Sequence, residues 1–201
     1  MPRGVSFTFD DGPDEAWTPR VLAELARLGV RATFFVTGER VLRHTELVRV
    51  SVGAGHEVQL HCHRHLRHTE LTEPQLLGDT ERALASLASV GVEPTLWRAP
   101  WGTITPASRR VARRFGLRLV GWSIDTHDWR GDEPAAMLAA AEPDLPGGGS
   151  VLMHDALGPG ASRTGCENTV ALLEGLSEAT RDLGLDLMPL DEAEEAQVPA
   201  R

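Results

Sequence analysis

Lysine and tyrosine are absent from the 201 residues, so all 20 Lys/Arg-class cations are arginine, set against 29 Asp and Glu. We read both absences as composition bias rather than chemistry. The resulting net charge of −9 makes nucleic acid a poor partner, and no basic run is long enough to reverse that. Cysteine is scarce: Cys62 and Cys166 do not make a disulfide framework. No apolar run approaches the length of a membrane span, so no membrane partner is expected. The N-terminus shows no cationic stretch followed by an apolar one, so a cytoplasmic location is expected. Linkers, low-complexity segments and repeats are also lacking. Residues 1–201 therefore read as one domain, long enough for a sizeable core. The sequence sets no oligomeric state.

What is present is an alternation of strand-like and helix-like segments. Residues 5–9 alternate apolar and polar and read as a strand. Residues 18–28 follow with Val21, Leu22, Leu25 and Leu28 at helical spacing and Gly29 as the stop. The pattern continues with strands over 31–36, 57–60, 95–97, 117–123, 150–153 and 186–189. The intervening helices are expected over roughly 39–52, 72–90, 105–115, 134–141 and 166–183, with Thr72 and Thr105 as caps before prolines. An acidic tail from Asp191 is expected to fray. Seven strands alternating with helices predict an α/β fold, a parallel barrel or a doubly wound sheet. The unusual polar clusters follow strands one, three, four, five and six. In β/α barrels, that end of the strands carries the active site.

The first cluster is Asp10-Asp11-Gly12-Pro13. Adjacent residues leave a strand end in different directions, so one carboxylate could bind a cation while the other accepts a proton. Alone, the stretch fits a polar turn equally well. The third strand runs into His61-Cys62-His63-Arg64-His65. His61 and His65 are four apart, which on a helical turn places both imidazoles on one face, as zinc-binding pairs require. With Asp11 they make a two-His, one-carboxylate set that leaves a position open, the pattern of a catalytic rather than a structural site. Asp10 is then the candidate base. Arg98, ending the fourth strand, is the candidate to hold it, with a salt bridge unrelated to chemistry as the alternative. Trp101, in Arg98-Ala99-Pro100-Trp101-Gly102, offers a backbone amide for an oxyanion or a hydrophobic cover. His154 ends an apolar strand and is the candidate general acid. Asp125 is expected to favour its imidazolium form, while Asp128 and Trp129 shape the pocket wall.

In this order the clusters resemble the polysaccharide deacetylase family, also called NodB-homology or carbohydrate esterase family four proteins. The matching stretches cover nearly the whole chain. The resemblance implies a distorted (β/α) barrel of about seven parallel strands and hydrolysis of an N-acetyl group from an amino sugar. It implies Asp10 as base, and Asp11, His61 and His65 as ligands of a divalent metal, zinc first, with cobalt or another divalent ion as alternatives. It also implies His154 as acid, Arg98 holding Asp10, Asp125 tuning His154, and Leu152 and Trp129 around the acetyl methyl. The chain departs from the family at Cys62, where Ser or Thr is usual, at Leu60, where Asn is usual, and at Trp101, where Tyr is common. The expected substrate is a poly- or oligosaccharide or a small N-acetylated metabolite. Alternatives are a related hydrolase of a cyclic amide or ureide, and a non-catalytic carbohydrate-binding barrel.

Overall fold

A computed structural model of the chain describes residues 4–191. The expected tail lies outside the described residues beyond Asp191. In order, the elements are β1 (Gly4–Asp10), α1 (Thr18–Leu28), β2 (Thr33–Thr37), α2 (Gly38–Arg43), α3 (Thr45–Gly53), β3 (Glu57–Cys62), α4 (Glu73–Ala88), β4 (Leu96–Arg98) and α5 (Pro106–Phe115). Then follow β5 (Arg118–Val120), β6 (Ile124–Asp125), α6 (Pro134–Ala141), β7 (Gly149–His154), α7 (Glu167–Asp182) and β8 (Asp186–Leu187). The sheet order is β5-β4-β3-β2-β1-β7-β6, with β8 against the start of β1, and every pairing is parallel. The two ends of this order, β5 and β6, are consecutive in the chain, and no ladder joins them among the described residues. The sheet is thus a curled, open version of the expected barrel.

The expected fifth strand, 117–123, stops at Val120, and a further short strand, β6, lies beyond it, which raises the count from seven to eight. Between β5 and β6, the carbonyl of Gly121 leaves the sheet direction and accepts from Arg98 Nη2 (2.9 Å) and Ser150 Oγ (3.3 Å). The helix expected over 39–52 is also broken, at His44, whose backbone (φ −129°, ψ 47°) is not helical. Other boundaries follow their local signals. Gly29 ends α1 at φ 66°, a conformation glycine adopts without penalty. Thr105 opens α5 by a reciprocal pair: its Oγ1 accepts from Ser108 N (3.2 Å), and its own N–H donates to Ser108 Oγ (2.9 Å). No helix among the described residues is long and apolar enough to cross a membrane.

Strand parity decides what reaches the site. Side chains alternate across a strand, so each strand sends one set outward under the helices and the other into the barrel. Val5, Phe7 and Phe9 of β1, Phe34 and Val36 of β2, Val58 and Leu60 of β3, Trp97 of β4, and Val151 and Met153 of β7 belong to the main apolar core. The opposite parity gives Thr8 and Asp10, Phe35, His61, Arg98, Leu152 and His154. Phe35 packs in a separate small cluster with Leu96, Val120 and Leu190, the apolar filling of the barrel interior. Arg98 on β4 hydrogen-bonds to Thr8 and Asp10 on β1, three strands away in the sheet order, so it crosses that interior.

Candidate active site

The paired aspartates separate as they leave β1. Asp10 keeps the strand's inward parity, opposite His154 in the β1–β7 register. Its Oδ1 accepts from Arg98 Nη1 at 2.8 Å, and the same nitrogen donates to Thr8 Oγ1 at 2.7 Å. Arg98 is fully buried, with its guanidinium carbon 4.2 Å from the Phe35 ring centroid. Such a pair is costly to break, because removing one partner leaves an uncompensated buried charge. Asp11 follows at φ 78°, in the left-handed region that non-glycine residues rarely adopt, and this turns its carboxylate away from Asp10. Trp101 (φ 52°) and His127 (φ 56°) share this conformation. These are the positive-φ non-glycine residues of the described chain, and all three lie at or beside the site.

Asp11 Oδ1 lies 3.5 Å from His61 Nε2 and 3.2 Å from His65 Nε2. One ligand-type atom from each of the three residues falls within a 4.8 Å cluster. The tautomer of His61 is fixed by its other nitrogen. Nδ1 lies 2.8 Å from the Arg98 carbonyl, which can only accept, so Nδ1 carries the proton. Burial lowers the His61 pKa, against the pull of Asp10 and Asp11, and the ring is neutral. Its Nε2 lone pair therefore faces a carboxylate oxygen. Asp11 Oδ1 itself is buried without a hydrogen-bond partner of proper geometry. Burial favours the protonated carboxyl, but His65 and His154 outweigh it and hold Asp11 well below the usual carboxylate range. At His61 an acceptor thus faces an ionised acceptor oxygen, which is repulsive unless a cation sits between them. The donor set thus fits a divalent metal with two nitrogen ligands and one oxygen ligand.

The helical turn expected to carry His61 and His65 is absent. His61 lies in β3, and His65 lies in the loop beyond it. The loop is shaped by Asp79 of α4, which accepts from the backbone N–H groups of His63 (2.9 Å) and Arg64 (3.1 Å). Sequence reasoning missed Asp79. Its signal was an acid on the apolar stripe of a helix, among Leu76, Thr80 and Ala83. His63 and His68 stand apart from the metal set. His63 packs against the Gly38 backbone, and His68 pairs with Ser108 Oγ (2.9 Å), where burial and the nearby histidines push its pKa down to about 4.

Asp125 does not touch His154, and this corrects the expectation. Its Oδ1 accepts from the His127 backbone N–H at 2.8 Å. The carboxylate beside His154 is Asp128, with Oδ1 2.7 Å from Nδ1 and Oδ2 2.9 Å from the His154 backbone nitrogen. The left-handed turn at His127 swings Asp128 under the imidazole. Asp128 Oδ2 also accepts from Arg163 Nη1 (2.8 Å) and Thr169 Oγ1 (2.9 Å). Burial resists charging His154, but Asp128, Asp11 and Asp10 prevail and raise its pKa to about 9. Burial also resists ionising Asp128, yet His154 and Arg163 keep its carboxyl below the ordinary value. Arg163 had no signal beyond being an arginine in a polar loop. It binds the loop together through the carbonyls of His154 (3.1 Å) and Ala156 (3.2 Å).

These groups open into a cavity of about 390 Å³. Asp10, Asp11, His61, His65, Trp101, Asp125, Trp129, Leu152 and His154 all line it; of the sequence-derived candidates, Arg98 lies behind Asp10, and Asp128, expected on the wall, is buried behind His154. Arg67, Trp122, Arg163 and the loop after β7 complete the walls. Gly158, in the loop after β7, allows the closest approach. A Cβ there would stand 1.9 Å from Asp11 Oδ2.

A family model described as polysaccharide deacetylase matches residues 2–120. A chitooligosaccharide deacetylase from Bradyrhizobium is 35% identical over 94% of this chain and 89% of its own length. A peptidoglycan-N-acetylglucosamine deacetylase from Listeria monocytogenes is 34% identical over 75% of this chain, and the match spans 32% of that longer protein. A family 4 carbohydrate esterase from Streptomyces lividans, solved in complex with acetate, superposes with a TM-score of 0.81 at 30% identity, covering 92% of this chain and 91% of that one. The family model ends before Asp128, His154 and Arg163, while the full-length matches extend past it. With strand order, cavity and these likenesses in agreement, the chain belongs to the polysaccharide deacetylase family.

Proposed function

We propose that the protein is a metal-dependent hydrolase that removes an N-acetyl group from an amino sugar, in an oligosaccharide, a polysaccharide or a smaller N-acetylated compound. The observation that carries this reading is the placement of three units around one cavity. These are the Asp11–His61–His65 cluster, an Asp10 carboxylate held off it by Arg98, and a His154 held protonated by Asp128. Asp11, His61 and His65 would hold a divalent cation, with zinc suited to the two-nitrogen, one-oxygen donor set. When bound, such an ion polarises a carbonyl and makes a nearby water more acidic.

The remaining work belongs to the chain's own residues. Asp10, fixed in position by Arg98 and Thr8, takes the proton from the attacking water. The Trp101 backbone amide, on a loop set by its positive φ, is assigned to the developing oxyanion. His154 is charged at neutral pH and delivers its proton to the departing amine nitrogen, and Asp128 and Arg163 hold the ring in place. Leu152 and Trp129 give the acetyl methyl an apolar wall.

The test is acetate release from N-acetylglucosamine oligomers and smaller N-acetylated sugars, with and without chelator. Expected are release by the metal-loaded protein, loss on chelation, and a comparable loss in His61→Ala. Turnover indifferent to both chelation and His61→Ala would overturn the metal assignment. An empty metal site at neutral pH with activity on a cyclic amide would favour the ureide alternative.

A further inference from the structure

Two arginines line the cavity, and the fold uses only one of them. Arg163 is spent on Asp128 and on two backbone carbonyls. The Arg67 side chain has no hydrogen-bond partner among the described residues. Its nearest acid is Glu70, with Nε and Oε1 3.9 Å apart and the Arg67 side chain 46% exposed. Elsewhere on the surface, Arg27, Arg64 and Arg110 each hydrogen-bond a carboxylate at 3.0 Å or less. Arg67 is nevertheless held in place. Its guanidinium carbon stands 4.0 Å from the Trp101 ring centroid. Trp101 in turn packs edge-on against His65, with centroids 4.2 Å apart. Stacking occupies the face of a guanidinium and leaves its charge and in-plane N–H groups available at the edge. A braced, unspent guanidinium at the mouth of a cavity is preorganised to receive an oxyanion through paired N–H donors.

We propose that Arg67, braced by Trp101, forms a subsite for a carboxylate or phosphate on the substrate, so that the preferred substrate is an acidic N-acetylated saccharide rather than a neutral one. This rests on the deacetylase reading for the reaction, but not for the binding. Short-range recognition of this kind is compatible with the chain's net charge of −9, because the anion meets a guanidinium at contact distance while more distant charges are screened by salt.

The experiment compares three matched N-acetylglucosamine oligomers: one neutral, one bearing a carboxylate on the neighbouring sugar, and one bearing a phosphate there. Binding is read from tryptophan fluorescence and turnover from acetate release, in the wild type, Arg67→Gln, Arg67→Lys and Arg113→Gln. Each result is taken as the acidic-to-neutral ratio within one variant, so that a general loss of activity or folding cancels. The wild type is expected to favour an acidic oligomer about tenfold, the scale of one charge-assisted hydrogen-bonded contact. The ratio should fall to about one in Arg67→Gln, survive in part in Arg67→Lys, and be retained in Arg113→Gln, which removes the same charge from exposed α5. Which acidic oligomer is favoured tells carboxylate from phosphate. A wild-type ratio near one, or a ratio unmoved by Arg67→Gln, overturns the subsite even if all three oligomers are deacetylated. Acidic preference in binding without any acetate release upholds the subsite and overturns the deacetylase reading instead.

Discussion

Asp128 and Asp125 are three residues apart, and only one of them reaches His154. Sequence spacing cannot distinguish them, because the chain turns between them through a left-handed backbone at His127 that no residue type announces. Asp128→Asn should therefore lower the pKa of His154 from about 9, move the alkaline limb of the pH–rate profile to lower pH, and reduce kcat by about 10²–10⁴-fold, the usual scale for general acid–base catalysis. Asp125→Asn should leave that limb in place. A pH profile of both variants checks the assignment, and a shifted limb in Asp125→Asn alone would reverse it. Arg98 gives a second test at this scale. Truncating it to Ala strands Asp10 in the barrel, and urea unfolding should show a loss of about 3–5 kcal/mol, the cost of breaking a buried ion pair. A loss below 1 kcal/mol would mean that Asp10 is solvated, contrary to its burial.

Elements put these residues within reach of one another. The strand ends were legible in the sequence: the polar residues there put Asp10, Arg98 and His154 at the ends of β1, β4 and β7, whereas His61 was expected past its strand and lies within β3. The loops were less legible. His65 was expected on a helical turn and instead lies in a loop held by Asp79, a contact between residues sixteen apart that local pattern does not encode. The break at Gly121 was likewise hidden, since it depends on Arg98 and Ser150 capturing a carbonyl. The loop after β7 has its own test. Gly158→Ala places a methyl group where Asp11 Oδ2 now sits, so the loop or the carboxylate must move. Metal affinity should fall, while the thermal unfolding of the metal-free protein should change little. Unchanged affinity would mean that the loop gives way and the Asp11 carboxylate stays in place.

For the whole molecule, the fold class, the order of elements and the face carrying the site were readable because β/α alternation leaves few topologies. The carboxylate–imidazolium pair also makes stability depend on pH. The pKa of His154 is raised from 6.5 to about 9, so its contribution is complete below pH 6.5 and is lost as pH rises through about 9. The pKa of Asp128 is lowered from 3.8, so its contribution is complete above pH 3.8 and is lost as pH falls through the depressed value. The stability difference between wild type and Asp128→Asn should therefore be largest between pH 3.8 and 6.5 and shrink toward pH 9, as denaturant titrations can show. A difference that grows above pH 7 would contradict the ionisation states assigned here.

The division of labour between the paired aspartates is tested most directly by metal stoichiometry and acetate release measured together on Asp10→Asn, after stripping and titration with a divalent cation. This variant should bind one equivalent per chain, as the wild type does, and release no acetate where the reconstituted wild type does. Loss of the metal from Asp10→Asn, or turnover at the wild-type rate, would contradict it.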